Sequence, residues 1–166
     1  MSLRSITFHP LSVLLFSLIG ASLYAGYATL RFSGDKLFGI YLYVVPIVIP
    51  FSAFLFDRAE RFRQINFIQL ATDGLVVGTA IWRVIGNVPF ISGHALFLAY
   101  ALLSTRSRVA QITAAIVMIQ VIYLKYIVWR DWITPTSGIV LGAIAALLAW
   151  RLRKKDGEWV MPTAAI

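Results

Sequence analysis

Pro89-Phe90-Ile91-Ser92-Gly93-His94-Ala95 opens an apolar run that continues from Leu96 to Leu103. A polar tripeptide, Ser-Gly-His, stands at the head of a hydrophobic segment, and His94 is one of only two histidines in the chain. Lipid tails offer no hydrogen bonds, so polar side chains in such a place belong at a membrane interface or a cavity. Ser92 can cap a helix that starts at this point. His94 is the best single candidate for acid/base chemistry.

Working outward from this stretch, five more apolar runs come into view. The six expected spans are 10–30, 37–56, 65–82, 90–103, 109–128 and 132–150. Of the 166 residues 60% are hydrophobic, and several runs approach the roughly 20 apolar residues that cross a bilayer. The expected fold class is therefore all-α integral membrane, a six-transmembrane helix bundle forming one domain over 1–166. The fourth span is short, as suits a helix that starts below the headgroups at a recessed polar pocket. Brief connections make neighbouring helices antiparallel. The first span reads as a retained helix, because its apolar run is long for a signal peptide. Residues 151–166 read as a frayed cytoplasmic tail.

The chain has no cysteine, which excludes disulfides, iron–sulfur clusters and thiolate zinc sites. Its net charge of +8 would suggest nucleic acid in a soluble protein, but here basic residues fix topology and meet anionic headgroups. No cofactor, no metal and no nucleic acid are expected. The expected partners are membrane lipids, lipid phosphates among them, with a second copy or a larger membrane complex left open. Ten Lys and Arg fall on the side of both termini and five on the other. The positive-inside rule then puts both termini in the cytoplasm, in a cell inner membrane, with His94 facing outward. Trp82, Trp129, Trp132, Tyr123 and Tyr126 gather at that outer boundary as an aromatic belt.

Other residues need a reason. Asp73 lies mid-way along the third span, where a carboxylate is costly, and Gln120 on the fifth span is the expected partner. A proton or ion site and a polar clamp between helices both fit Asp73, and the clamp is preferred because no second intramembrane acid accompanies it. The run Asp57-Arg58-Ala59-Glu60-Arg61-Phe62-Arg63 reads as a solvated loop anchoring two helix ends. Pro46 and Pro50 should bend the second span. Gly138, Gly142 and Ala146 recur every four residues, a small-residue face for close helix contact. His9 and His94 stand at opposite membrane faces, roughly 30 Å apart, so they cannot share a metal.

Arg83, His94, Lys125 and Arg130 map to the outer face, with Asp131 as the acid beside them. Thr134-Pro135 looks like an N-cap followed by Pro at the first helical position, a second helix start beside that at Ser92. Helix N-termini and basic side chains together would suit an anion such as phosphate. Equally, Arg83, Lys125 and Arg130 could snorkel to headgroups. The candidate anion-binding set is Arg83, Ser92, Gly93, Lys125 and Arg130.

Ser92-Gly93-His94 at the head of a fourth span resembles the second motif of the type-2 phosphatidic acid phosphatase superfamily. Ile91 stands where that family has Pro. The resemblance implies a six-span bundle with an outward site that dephosphorylates lipids through a phosphohistidine, with the second-motif His as acid and base. For the family's first motif, Arg83 is the one basic residue, without the Arg-Pro pair. In its third motif the family spaces His, Asp, Gly and Gly four apart. Framed on Gly138 and Gly142, this puts Arg130 at the nucleophile, Thr134 at the Asp and Leu124, beside Lys125, at the family's Arg. An arginine stays protonated and has no lone pair for attack on phosphorus. Two classes of function remain. One is a divergent lipid-phosphate hydrolase or phosphotransferase using His94. The other is a catalytically degenerate or non-enzymatic membrane protein: an anion binder, a carrier, or a structural subunit of a larger complex.

Overall fold

Every apolar run that falls within the described residues forms a helix. The computed structural model describes residues 45–61, 67–86 and 90–155, together with isolated positions 19, 22 and 34. A 3-10 turn at Val45–Ile47 leads into α1 (Val48–Glu60). Then follow α2 (Phe67–Gly86), α3 (Gly93–Ser104), α4 (Arg108–Tyr123) and α5 (Ile133–Lys155), with a π turn at Leu124–Val128 extending α4. No strand occurs among the described residues. The expected span 10–30 and residues 37–44 of the second lie outside them.

Two helical stretches, Arg108–Val128 and Ile133–Leu152, are long and apolar enough to cross a membrane, while Phe67–Trp82 and Gly93–Ser104 are shorter apolar helices. Pro46 sits in the 3-10 turn and Pro50 in the first turn of α1, where a missing N–H is tolerated; the expected bend of the second span involves residues 37–44, which lie outside the described residues. At the other end, α5 stays helical to Lys155 and so includes basic residues expected in the tail.

α3 is the centre of the bundle. Ala95 to Ala101 are all buried, with Leu98 and Tyr100 fully so. α2 runs antiparallel to it: Ala80 faces Gly93, and Asp73 faces Tyr100. α5 runs parallel to it: Gly138 faces Ser92 and Ala95, and Gly142 faces Leu96, Ala99 and Tyr100. α1 also runs parallel. Phe51 and Phe54 set their ring centroids 5.5 Å from that of Phe97, and Arg58 reaches Ser104 one turn further on.

Glycine is required at the α3–α5 crossing. A Cβ on Gly138 would lie 2.6 Å from the Ser92 carbonyl oxygen, and one on Gly142 would lie 2.3 Å from that of Leu96. The helices approach until main chain meets main chain, which gives dispersion contact along the whole crossing. Ala146 and Ala149 continue the buried face. Gly93 does the same toward α2, where a Cβ would stand 2.7 Å from the Ala80 oxygen.

Candidate functional site

Two polar regions lie at opposite ends of α3. At its C-terminal end is a buried ion network. The Arg58 guanidinium grips Asp73 with two bonds, Nε to Oδ2 at 2.8 Å and Nη2 to Oδ1 at 3.1 Å. Its remaining donors go to Asp57 Oδ2 at 3.1 Å, to the Ser104 hydroxyl at 3.0 Å and to the Ser104 carbonyl at 3.3 Å. Tyr100 donates its hydroxyl to Asp73, and Arg61 bonds Asp57. Arg58 also lies over the Phe54 ring, 4.6 Å from its centroid. Arg58 and Asp73 are each 7% exposed.

The helix ends explain the arrangement. Ser104 is the last residue of α3, where carbonyls lack intrahelical partners, and the Arg58 guanidinium supplies donors there. Asp57 accepts the Ser107 N–H at 3.0 Å, at the positive start of α4. Two carboxylates meet two guanidiniums, so no net charge is buried.

This corrects two expectations. Asp57 and Arg58 do not lie in a solvated loop: α1 continues past 56 to Glu60 and buries both, leaving Glu60 exposed. Asp73 takes Arg58 and Tyr100 as its partners in place of Gln120, which lies half-buried on α4. Reasoning from the sequence missed Arg58, Tyr100 and Ser104. A usable signal was Tyr100, whose hydroxyl interrupts an otherwise apolar run and needs a partner when buried.

At the N-terminal end of α3, Ser92 caps the helix as expected and its side chain accepts the Ala95 N–H at 3.3 Å. The Ser92 N–H donates to the Thr134 carbonyl at 2.9 Å, and the Ser137 hydroxyl donates to the Phe90 carbonyl. The starts of α3 and α5 are thereby joined. Gly93 is buried against α2, and His94 is half-buried in the first turn of α3. The Arg83 side chain lies outside the described residues.

Thr134 is not the cap of α5. The helix begins at Ile133, and Asp131 plays the capping part, accepting the Thr134 N–H at 3.2 Å and the Thr134 hydroxyl. Asp131 also pairs with Lys125, 3.0 Å from Nζ to Oδ2, while Lys125 lies 5.3 Å from the Trp129 ring centroid. The carboxylate is a better acceptor for a helix start than a threonine hydroxyl, and its charge suits the dipole. Burial raises the Asp131 pKa, but the hydrogen bonds from Thr134 and Lys125 and the Lys125 charge outweigh it, so the carboxyl falls below its usual range. A depressed carboxyl stabilises the fold above its unfolded pKa. That contribution is lost only as pH falls through the lowered folded value, so the loop stays intact at neutral and mildly acid pH.

Arg130 differs from Lys125. It is exposed, and its side chain makes no hydrogen bond or ion pair among the described residues. Its φ is +52°, the left-handed region. The backbone requires it: the Trp129 N–H returns to the Leu124 carbonyl at 2.9 Å and the Asp131 N–H to that of Lys125 at 2.8 Å, closing the wide turn through a left-handed residue. Glycine holds that conformation without a Cβ penalty, so Arg130→Gly should raise thermal stability by about 1 kcal/mol. Unfolding of the purified variant in detergent checks this. A lower stability would mean that the Arg130 side chain contributes packing of its own.

Just below, the outer surface of α5 carries an open groove lined by Trp132, Ile133, Thr136, Ser137, Val140 and Leu141. Among the described residues, His94, Lys125 and Arg130 do not line it. Tyr126 stacks on Trp132 at 4.7 Å between centroids. Comparison with protein-family models, with curated proteins and with solved structures finds no match. Among the described residues the chain is all-helical, with a buried ion network at one end of α3 and two joined helix starts at the other.

Proposed function

We propose that this chain is an integral membrane protein whose helices cross the bilayer with both termini in the cytoplasm, and whose outward end holds a phosphate-bearing or other anionic headgroup without hydrolysing it. The observation that carries the membrane reading is an inverted distribution of polarity. Asp57, Arg58, Gln69, Asp73 and Ser104 are buried, while Ile112, Ile116 and Ile119 on α4 and Val140, Ile144 and Leu147 on α5 are exposed. Only 28% and 33% of the two longest apolar segments are buried. Water would penalise such surfaces heavily, and hydrocarbon does not. Exposed Trp82, Tyr123, Trp129 and Trp132 suit the outer interface, opposite the end that holds the ion network.

Support for the anion reading comes from the joined starts of α3 and α5. The α3 start favours negative charge at this end, the α5 start being held already by Asp131, and Arg130 adds an exposed cation with no side-chain partner among the described residues. Support for binding over cleavage is chemical. Arg130 occupies the position that corresponds, in the resemblance to the phosphatases, to the nucleophile, and a guanidinium cannot attack phosphorus. Purified protein should release no more phosphate from isoprenyl and diacyl lipid phosphates than His94→Ala does. Release that disappears in His94→Ala would overturn this and make the protein a hydrolase.

A second reading, a subunit of a larger membrane complex, is favoured by α2. Gly74 and Gly78 lie four apart and exposed, and a Cβ on either would meet nothing within 4 Å among the described residues. Such a face admits another helix closely.

A further inference from the structure

We propose that the outward end of α5 docks an anionic phospholipid, with its phosphate on Arg130 and one acyl chain along the groove below. The inference rests on the membrane reading above and adds the ligand's class and seat. Charge complementarity comes first. In the segment that joins α4 to α5, Lys125 and Asp131 cancel each other, which leaves Arg130 as the local excess charge. It is exposed, it is unpaired among the described residues, and it is held in a backbone conformation that glycine would fill more easily. Strained non-glycine residues persist where the side chain has a use.

The groove sets what the rest of the ligand is. Its two hydroxyls are already committed. Thr136 bonds the Trp132 carbonyl at 2.7 Å and the Tyr126 hydroxyl at 2.5 Å, and Ser137 bonds the carbonyls of Phe90 and Thr134. What remains facing outward is hydrocarbon from Trp132, Ile133, Val140 and Leu141. From Trp132 to Leu141 the helix rises roughly 14 Å, close to the depth of one leaflet's hydrocarbon. A free phosphate would find the hydroxyl protons of Thr136 and Ser137 already given to carbonyls, with the Trp132 indole N–H left to meet it, and an acyl chain needs no partner. Trp132 sits at the top of the groove, where an indole belongs at headgroup depth.

The test uses Trp132 as the reporter. The protein is reconstituted in phosphatidylcholine vesicles that contain a minor fraction of either brominated phosphatidylglycerol or brominated phosphatidylcholine, and tryptophan quenching is compared. The anionic lipid is expected to quench more than the zwitterionic one at equal fraction. That excess should vanish in Trp132→Phe and in Arg130→Gln. It should also vanish in Arg130→Gly, which the left-handed backbone accepts, so misfolding cannot account for the loss. Excess inorganic phosphate should leave the difference in place, because the chain supplies the seat. Equal quenching by the two lipids overturns the docking site alone. So does an excess that survives loss of Arg130 or disappears on adding phosphate. Absence of quenching by either lipid overturns the docking site together with the membrane reading.

Discussion

Asp73→Leu is expected to destabilise the bundle by about 3–5 kcal/mol. Arg58 spends two of its hydrogen bonds on this carboxylate and lies 7% exposed, so removing Asp73 leaves a guanidinium in the interior with Asp57 as its remaining acid partner. Arg58→Met should cost a similar amount, since it leaves Asp73 buried with the Tyr100 hydroxyl as its remaining partner among the described residues. The double variant Arg58→Met/Asp73→Leu should recover much of the loss, because the desolvation of both ions is then removed together. Thermal unfolding of the four proteins in detergent, followed as the monodisperse fraction, completes the cycle. If the two single losses simply add in the double variant, Arg58 and Asp73 do not act as a pair.

Gly142→Leu should rank second. Even the first atom of the new side chain would stand 2.3 Å from the Leu96 carbonyl oxygen, 2.9 Å from the Ala99 Cβ and 3.1 Å from the Tyr100 nitrogen. Two of those neighbours are main chain and cannot rotate away, so α3 and α5 must separate. The cost should reach or pass the upper end of the ~1–3 kcal/mol usual for overpacking. Gly78→Leu on α2 is the matched control: a Cβ there meets nothing within 4 Å among the described residues, and the isolated protein should melt like the parent. A Gly142→Leu protein that melts like the parent would contradict the main-chain contact between α3 and α5.

The helical class was legible because apolar runs of this length admit little else. Ser92 was legible as a cap because a hydroxyl before an apolar run has one obvious task. The contact face of α5 was legible too, since Gly138, Gly142 and Ala146 repeat every four residues and only close packing rewards that pattern. The ion network was not legible. Asp57-Arg58 beside Glu60-Arg61 has the composition of a solvated turn, and burial follows only from α1 running one more turn, under the end of α3. Depth matching nominated Gln120 for Asp73, but an intrahelical acid takes a guanidinium when one can reach it, and the end of α1 supplies one. Thr134-Pro135 carried a real capping signature. It lost to Asp131, three residues before Thr134, because an ionised carboxylate accepts both the Thr134 N–H and its hydroxyl and holds Lys125 as well. Pairwise competition of this kind depends on distances that a linear sequence does not contain.

These helices are expected to cross a bilayer with the ion-network end inside and the Arg130 end outside. The chain has no native cysteine, so single cysteines report without background. Arg106→Cys places a thiol in the exposed turn between α3 and α4, and Arg130→Cys places one in the turn before α5. A membrane-impermeant maleimide applied to intact cells should label Arg130→Cys at once and Arg106→Cys only after the membrane is opened. Labelling of Arg106→Cys in intact cells with Arg130→Cys protected would reverse the orientation, and labelling of both only after lysis would contradict a membrane-spanning bundle.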